Sequence, residues 1–136
     1  MTSVSTKLLP AAALVAARMI GAFATVALAT SMSATAADLV VYNSEHCVVS
    51  RQFEKEVAGD FASSNAGQVF SLRLVDIGNA PAGVTLSQPV TSTPTFVFVN
   101  HGVEIARFVG YPGREHFFRI VEGATDAFEK SKVAPR

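Results

Sequence analysis

Cys47 is the single cysteine of a 136-residue chain, and Ser50 follows it at the i+3 position in "SEHCVVSRQF". Two cysteines at that spacing form a redox pair. The first thiolate attacks a disulfide and the second resolves the mixed disulfide that results. Serine has nearly the shape of cysteine, but its hydroxyl is not a usable exchange nucleophile at neutral pH. A thiolate at Cys47 can therefore attack a disulfide or be attacked within one, while release needs an outside thiol such as glutathione. The Ser50 hydroxyl can hydrogen-bond that thiolate; the plainer reading is a helix residue with no role beyond solvation. The plainer reading of Cys47 is a small buried hydrophobe. Its polar flanks Ser44, Glu45 and His46 argue instead for a thiol at a rim.

What sets the reactivity of such a thiol is the element it sits on. "LVVY", Leu39 to Tyr42, is a short β-branched apolar run that reads as a buried strand, ended by Asn43 and Ser44. After Cys47 the period changes. Val49, Phe53, Val57 and Phe61 recur every fourth residue with Arg51, Glu54, Lys55 and Glu56 between them, the apolar stripe of a helix. Cys47 thus lies where a strand ends and a helix begins. Unsatisfied N–H groups and a partial positive charge collect at such a point. They favour the thiolate and lower the thiol pKa below the free value of about 8.5. His46 can add to this when protonated, although a solvated loop histidine is the simpler reading.

The remaining elements follow from the same periodicities. Ser63 to Gly67 is a string of turn residues that ends the helix. Phe70, Leu72 and Leu74 alternate with Ser71 and Arg73, which predicts a second strand and a βαβ unit with parallel strands. Gly78 to Thr93, with Pro81, Gly83 and Pro89, predicts a loop with one helical turn around Val84 to Ser87. A loop of that length is often functional. "TFVFV", Thr95 to Val99, is apolar on both faces and predicts a central strand. Asn100-His101-Gly102 is a hairpin turn, and Val103 to Val109 returns, with its alternation slipping at Ala106 as in a bulge. Gly110 to Gly113 breaks that strand. Phe117, Ile120, Val121, Ala124 and Phe128 mark a last helix, which Gly123 weakens by roughly 1 kcal/mol relative to alanine. The order is β-α-β-loop-β-β-α, an α/β domain with a small mixed sheet and helices on both faces.

The first 36 residues stand apart from this domain. Their only charges are Lys7 and Arg18, followed by the apolar "MIGAFATVALA" and the small-residue stretch ending Ala34-Thr35-Ala36. That is the pattern of a secretory signal cleaved after Ala36 or one residue later, with a retained N-terminal anchor as the lesser alternative; it predicts an exported, periplasmic domain over residues 37–136 with no membrane span once the signal is gone. The domain carries nine basic against eleven acidic residues, a net charge of −2 with no basic stripe, which offers nothing to nucleic acid. His46, His101 and His116 are scattered, and one cysteine cannot build a sulfur-rich zinc site. There is no Gly-rich phosphate loop, so no metal and no cofactor is expected. A hydrolase built on Cys47 and His46 is disfavoured, because adjacent residues rarely orient as nucleophile and base.

One resemblance joins these pieces. A strand, a cysteine opening a helix, and then "TSTPTFVFVNHGVEIARFVGYPG" is similar to the thioredoxin superfamily. The segments "FEKEVAGDF", "LRLVDI", "LSQPVTSTPTF" and "GYPGREHFF" are more similar still to the exported SoxS-type thioredoxin-like proteins of bacterial sulfur-oxidation systems. The resemblance covers the chain from about Val41 to Phe118. It implies a thioredoxin-like fold, with Cys47 at the attacking position and Ser50 where the family has its resolving cysteine. Pro94 falls on the cis-proline that faces the thiol. Thr93 falls on the residue whose backbone pairs with a bound substrate chain. From the residues alone, Pro94 is only a proline opening a strand.

Three functions fit these residues. In the first, Cys47 forms mixed disulfides with a thiol- or disulfide-bearing protein or with glutathione, in the service of a sulfur-oxidation system. In the second, the domain is a redox-inactive binding or regulatory module that holds an extended peptide beside Thr93 and Pro94. In the third, Cys47 links two copies in a disulfide dimer, the usual suspicion for an odd cysteine in an exported protein.

Overall fold

In the computed structural model, which describes residues 37–79 and 81–133, four strands form one mixed sheet. They are β1 (Ala37–Asn43), β2 (Ser71–Asp76), β3 (Thr95–Asn100) and β4 (Val103–Val109), in spatial order β2-β1-β3-β4. β1 and β2 run parallel, as the βαβ reading requires, and β3 lies antiparallel to both β1 and β4. The two central strands are the two most apolar runs of the sequence, and both are buried along nearly their whole length. Asn100 and Val103 close the hairpin around His101 and Gly102, whose φ angles of 48° and 78° are those of a two-residue turn matched to strand twist. Phe98 pairs with Ala106 and Val99 with Glu104, so Ile105 is the extra, bulged residue beside the expected slip.

The helical segments are α1 (Val48–Phe53), a π-helical stretch (Glu54–Ala58) that continues it, a 3-10 turn (Phe61–Ser63), α2 (Asn65–Val69) and α3 (Arg114–Val133). Side chains from all of them meet Leu39, Val41, Phe96 and Phe98 on a single face of the sheet. This corrects the expectation of helices on both faces. The opposite face, built on Val40, Tyr42, Val97 and Val99, is covered by Val84, Leu86 and Val90 of the loop between β2 and β3. The same segment corrects the helical turn expected at Val84 to Ser87. There Thr85 pairs with Val103: its N–H donates to the Gly102 carbonyl (2.7 Å) and its carbonyl accepts from the Glu104 N–H (3.0 Å). The backbone groups that such a turn would use are engaged by the hairpin instead, with the Ser87 N–H also donating to Glu104 (2.7 Å), and the extended loop buries the same valines and leucine.

Two further readings are corrected. Ser64 does not merely end a helix; it starts one. Its hydroxyl accepts from the Gly67 N–H (3.1 Å), donates to the Phe61 carbonyl (2.6 Å), and so caps α2. The expected apolar stripe holds at Phe53, Val57 and Phe61 and fails at its first residue, where the buried face passes through Ser50. Val49 is exposed, and the buried face runs Ser50, Phe53, Val57. Phe53 fixes that face, wedged edge-on against Phe96 (4.9 Å) and Tyr111 (5.6 Å). The signal-like residues 1–36 lie outside the described residues. Among the described residues, no helix is long and apolar enough to cross a membrane.

Candidate functional site

Cys47 occupies the N-cap of α1, with extended backbone (φ −91°, ψ 116°), and its carbonyl accepts the first helical hydrogen bond from the Arg51 N–H (3.1 Å). The chain reaches this point through a tight turn in which the Cys47 N–H donates to the Ser44 carbonyl (3.0 Å). The thiol is half-buried. Val48 beside it is 67% exposed, so the sulfur stands at the surface and not in the core.

Thr93 faces it from the loop, 46 residues along the chain. The Thr93–Pro94 peptide bond is cis, and Cys47 Sγ lies 3.5 Å from the Thr93 carbonyl oxygen, to which the neutral thiol donates. Three ties hold this short segment. The Thr95 hydroxyl donates to the Ser92 carbonyl (2.7 Å), the Gly110 N–H donates to the Pro94 carbonyl (2.8 Å), and Thr95 pairs with both Tyr42 and Val109 in the sheet.

The fourth residue of the set, Ser50, is fully buried, so a merely solvated serine is not what the fold contains. Its oxygen accepts weakly from the Ser44 N–H (3.4 Å), which leaves the hydroxyl hydrogen for the sulfur. The thiol pKa falls to about 7. The largest cause is a hydrogen bond from the Thr93 side chain, followed by the Ser50 side chain and the Ser50 backbone N–H. Desolvation opposes these, and the Val49 N–H adds a smaller share. The helix N–H groups act here as charge stabilisers only, since Cys47 makes no complete side-chain capping bond. The Thr93 carbonyl accepts only from the protonated thiol, so its contact with Sγ favours the neutral form. A half-exposed sulfur about half ionised at pH 7 is a nucleophile for disulfides and electrophiles.

The histidine next to the thiol does not join it. His46 Nε2 lies 3.3 Å from Glu45, and both side chains are more than 80% exposed. The fold also recruits residues that periodicity assigned only to turns and helix surface. The Tyr111 hydroxyl donates to Glu56 Oε2 (2.7 Å), which lowers the Glu56 carboxyl pKa, and Arg114 reaches the Glu56 carbonyl. Those contacts fasten the helix that carries Cys47 to the turn before α3. Among the described residues, no three His, Cys, Asp or Glu side chains are placed to share a metal ion.

The fold has known counterparts among solved structures. No family model matches the chain, and no curated protein does. Among solved structures it is similar to the periplasmic thioredoxin SoxS from Paracoccus pantotrophus in its reduced form. The two share 28% identity and a TM-score of 0.60, over 63% of this chain and 92% of that one. A Malassezia sympodialis thioredoxin (18% identity, TM-score 0.51, 65% of this chain and 77% of that one) has a similar fold. So has a Fasciola hepatica thioredoxin (21% identity, TM-score 0.50, 65% and 80%).

Proposed function

We propose that this thioredoxin-like protein is an exported monothiol exchange protein, in which Cys47 carries a protein or glutathione as a mixed disulfide. The observation that supports this most is the low-pKa sulfur of Cys47, held between Ser50 and Thr93 at the protein surface. The thiolate attacks one sulfur of a partner disulfide. A new S–S bond forms to Cys47, the old S–S bond breaks, and the departing sulfur leaves as a thiolate that takes up a proton from water. Since Ser50 supplies no second thiol, the mixed disulfide persists until a low-molecular-weight thiol such as glutathione attacks it. The attacking thiol then keeps the partner's sulfur, and Cys47 leaves as the thiolate. The likeness to a periplasmic SoxS thioredoxin supports a periplasmic setting, and the sequence resemblance to the SoxS type is what suggests service to a sulfur-oxidation system. Thr93 and Pro94 form the wall along which an extended partner chain lies.

The pH dependence of Cys47 alkylation tests this. The expected rate rises through about pH 7 and levels off well below the range of a free thiol. A midpoint near that of free cysteine, or labelling only in denaturant, overturns the reading. The role of the sulfur separates exchange from simple peptide holding. With Cys47→Ser, partners captured from a periplasmic extract as mixed disulfides are lost. If capture is unchanged by this substitution, the domain is a redox-inactive binding module. Capture of a second copy of the chain alone makes it a disulfide dimer.

A further inference from the structure

The segment that presents Thr93 to the thiol has almost no regular backbone pairing of its own between Ser87 and Ser92. Val90 packs on the sheet, yet a cleft of about 310 Å³ opens beside it, lined by Gln88, Pro89, Ser92, Thr95 and Val109. Arg107 spans that cleft from β4. Its Nη2 donates to the Gln88 carbonyl (2.8 Å) and its Nη1 lies 3.4 Å from the Pro89 carbonyl. Glu104 holds the guanidinium as a two-point fork, Nε to Oε1 at 2.5 Å and Nη2 to Oε2 at 2.6 Å, and also accepts from the Ser87 N–H (2.7 Å). The pair is largely out of solvent, with 15% of the Arg107 side chain and 5% of the Glu104 side chain exposed. Planar bidentate pairing of this kind fixes direction as well as distance. Three residues beyond Arg107, the Gly110 N–H holds the far side of the same segment through the Pro94 carbonyl (2.8 Å).

We propose that Glu104 and Arg107 are positioning residues for Cys47: from β4 they hold the backbone at Ser87 to Pro89, and so set where Thr93 stands against the sulfur. The proposal rests on the reading of Cys47 as the working thiol, and it extends that site to the opposite face of the sheet. Loosening the loop moves the Thr93 side chain away from the sulfur and weakens the largest contribution to the thiolate. Tyr42 of β1 faces the pair, with Arg73 of β2 acting on Tyr42 in turn, and Glu45, His46 and Arg51 flank the thiol on its own turn and helix. Tyr42 is raised above its ordinary value mainly by burial, and Glu104 is lowered to about 2 by its bond to Arg107. Neither changes charge between pH 5 and 9, so a shifted profile in that range reports on the thiol.

The test compares Cys47 alkylation against pH in wild type, Arg107→Lys, and the double variant Glu104→Leu/Arg107→Met. Lysine keeps the charge but cannot span both carbonyls. The double variant leaves no buried carboxylate unpaired and keeps the fold where a single Arg107 deletion endangers it. The expected midpoint rises by about one unit in the double variant, an approximately tenfold smaller thiolate fraction at low pH, and by less in Arg107→Lys. Phe128→Ala, a core change remote from the loop, keeps the wild-type midpoint. Amide hydrogen exchange at Gly110, whose N–H is bonded to the Pro94 carbonyl of the same segment, gives a readout independent of thiol chemistry, and it accelerates in both pair variants. Folded variants with the wild-type midpoint, or with unchanged exchange, overturn the proposal. An unperturbed midpoint in wild type overturns the reading of Cys47 instead, and the exchange data then decide the clamp alone.

Discussion

The hydroxyl of Ser50 hydrogen-bonds the Cys47 sulfur from one helical turn further along the chain. The residue is fully buried directly behind the sulfur's helix turn, so Ser50→Cys puts a thiol there with one atom changed and little new volume. The expected outcome is an intramolecular disulfide between Cys47 and the introduced thiol under mild oxidation. Mixed disulfides then no longer accumulate, because they are resolved within the chain. Intact-protein mass spectrometry distinguishes the two: a loss of two hydrogens per chain in the variant, against a stable adduct on wild type. If adducts persist on the reduced variant, Ser50 does not stand in resolving geometry. Cys47 and its helix start were legible in the sequence because both are local, a polar turn followed by a change of period. The burial of Ser50 was not. Val49 and Ser50 are neighbours, and a stripe through either fits the spacing to Phe53 and Val57. Only the packing of Phe53 against Phe96 and Phe117 chooses between the two.

At the scale of elements, the link from the first helix to β2 shows how close approach hides in a turn-like sequence. Gly67 sits in α2 where an added Cβ would lie 2.1 Å from the Phe61 carbonyl oxygen and 2.8 Å from the Ala62 Cα. Both are backbone atoms and cannot swing aside. Gly67→Ala is therefore expected to destabilise the domain despite the better helix propensity of alanine, which by itself favours the variant by roughly 1 kcal/mol. The clash outweighs that gain, because relieving it means separating the 3-10 turn from α2 and with it the Ser64 cap, worth about 1 kcal/mol. Chemical denaturation of both proteins reads the sign, and a stabilised Gly67→Ala contradicts the packing. From the sequence, Ser63 to Gly67 gave only turn chemistry. The same serine and glycine serve a loop or a capped helix start, and the difference lies in what the backbone touches. The loop from Gly78 to Thr93 was legible as a loop for the complementary reason: proline and glycine exclude the alternatives locally. Its attachment through Glu104 and Arg107 was not, since those residues read only as polar positions of a β-hairpin strand.

For the molecule as a whole, strand parity separates two unlike cores. Alternate residues of β1 and β3 put Leu39, Val41, Phe96 and Phe98 under the helices, and Val40, Tyr42, Val97 and Val99 under the loop. The aromatic weight lies almost entirely on the helix side, with Phe117 at its centre. Phe117 is fully buried, with ring centroids 5.2 Å from Phe53 and from Phe96, 6.3 Å from Phe61 and 6.2 Å from Phe108. It joins α3 to the helix that carries Cys47 and to the sheet that carries Pro94. The parity was readable in "TFVFV"; which side would receive both helices was not, because each set is apolar enough to be covered by either. Removing the central ring tests this division. Phe117→Ala loses the transfer energy of the ring and leaves a cavity between elements that cannot all collapse into it, a cost of about 3–5 kcal/mol. Single domains are stable by only about 5–15 kcal/mol, so the melting temperature is expected to fall by roughly ten degrees or more. The site, by contrast, is held by local ties at Thr93, Ser44 and Gly110. In the fraction that remains folded, the alkylation midpoint of Cys47 is therefore expected to stay near pH 7. A small loss of stability would mean that Phe117 is not the joint between the two halves of the core. A shifted midpoint in folded protein would mean that the thiol's environment depends on the core, and not on the loop that faces it.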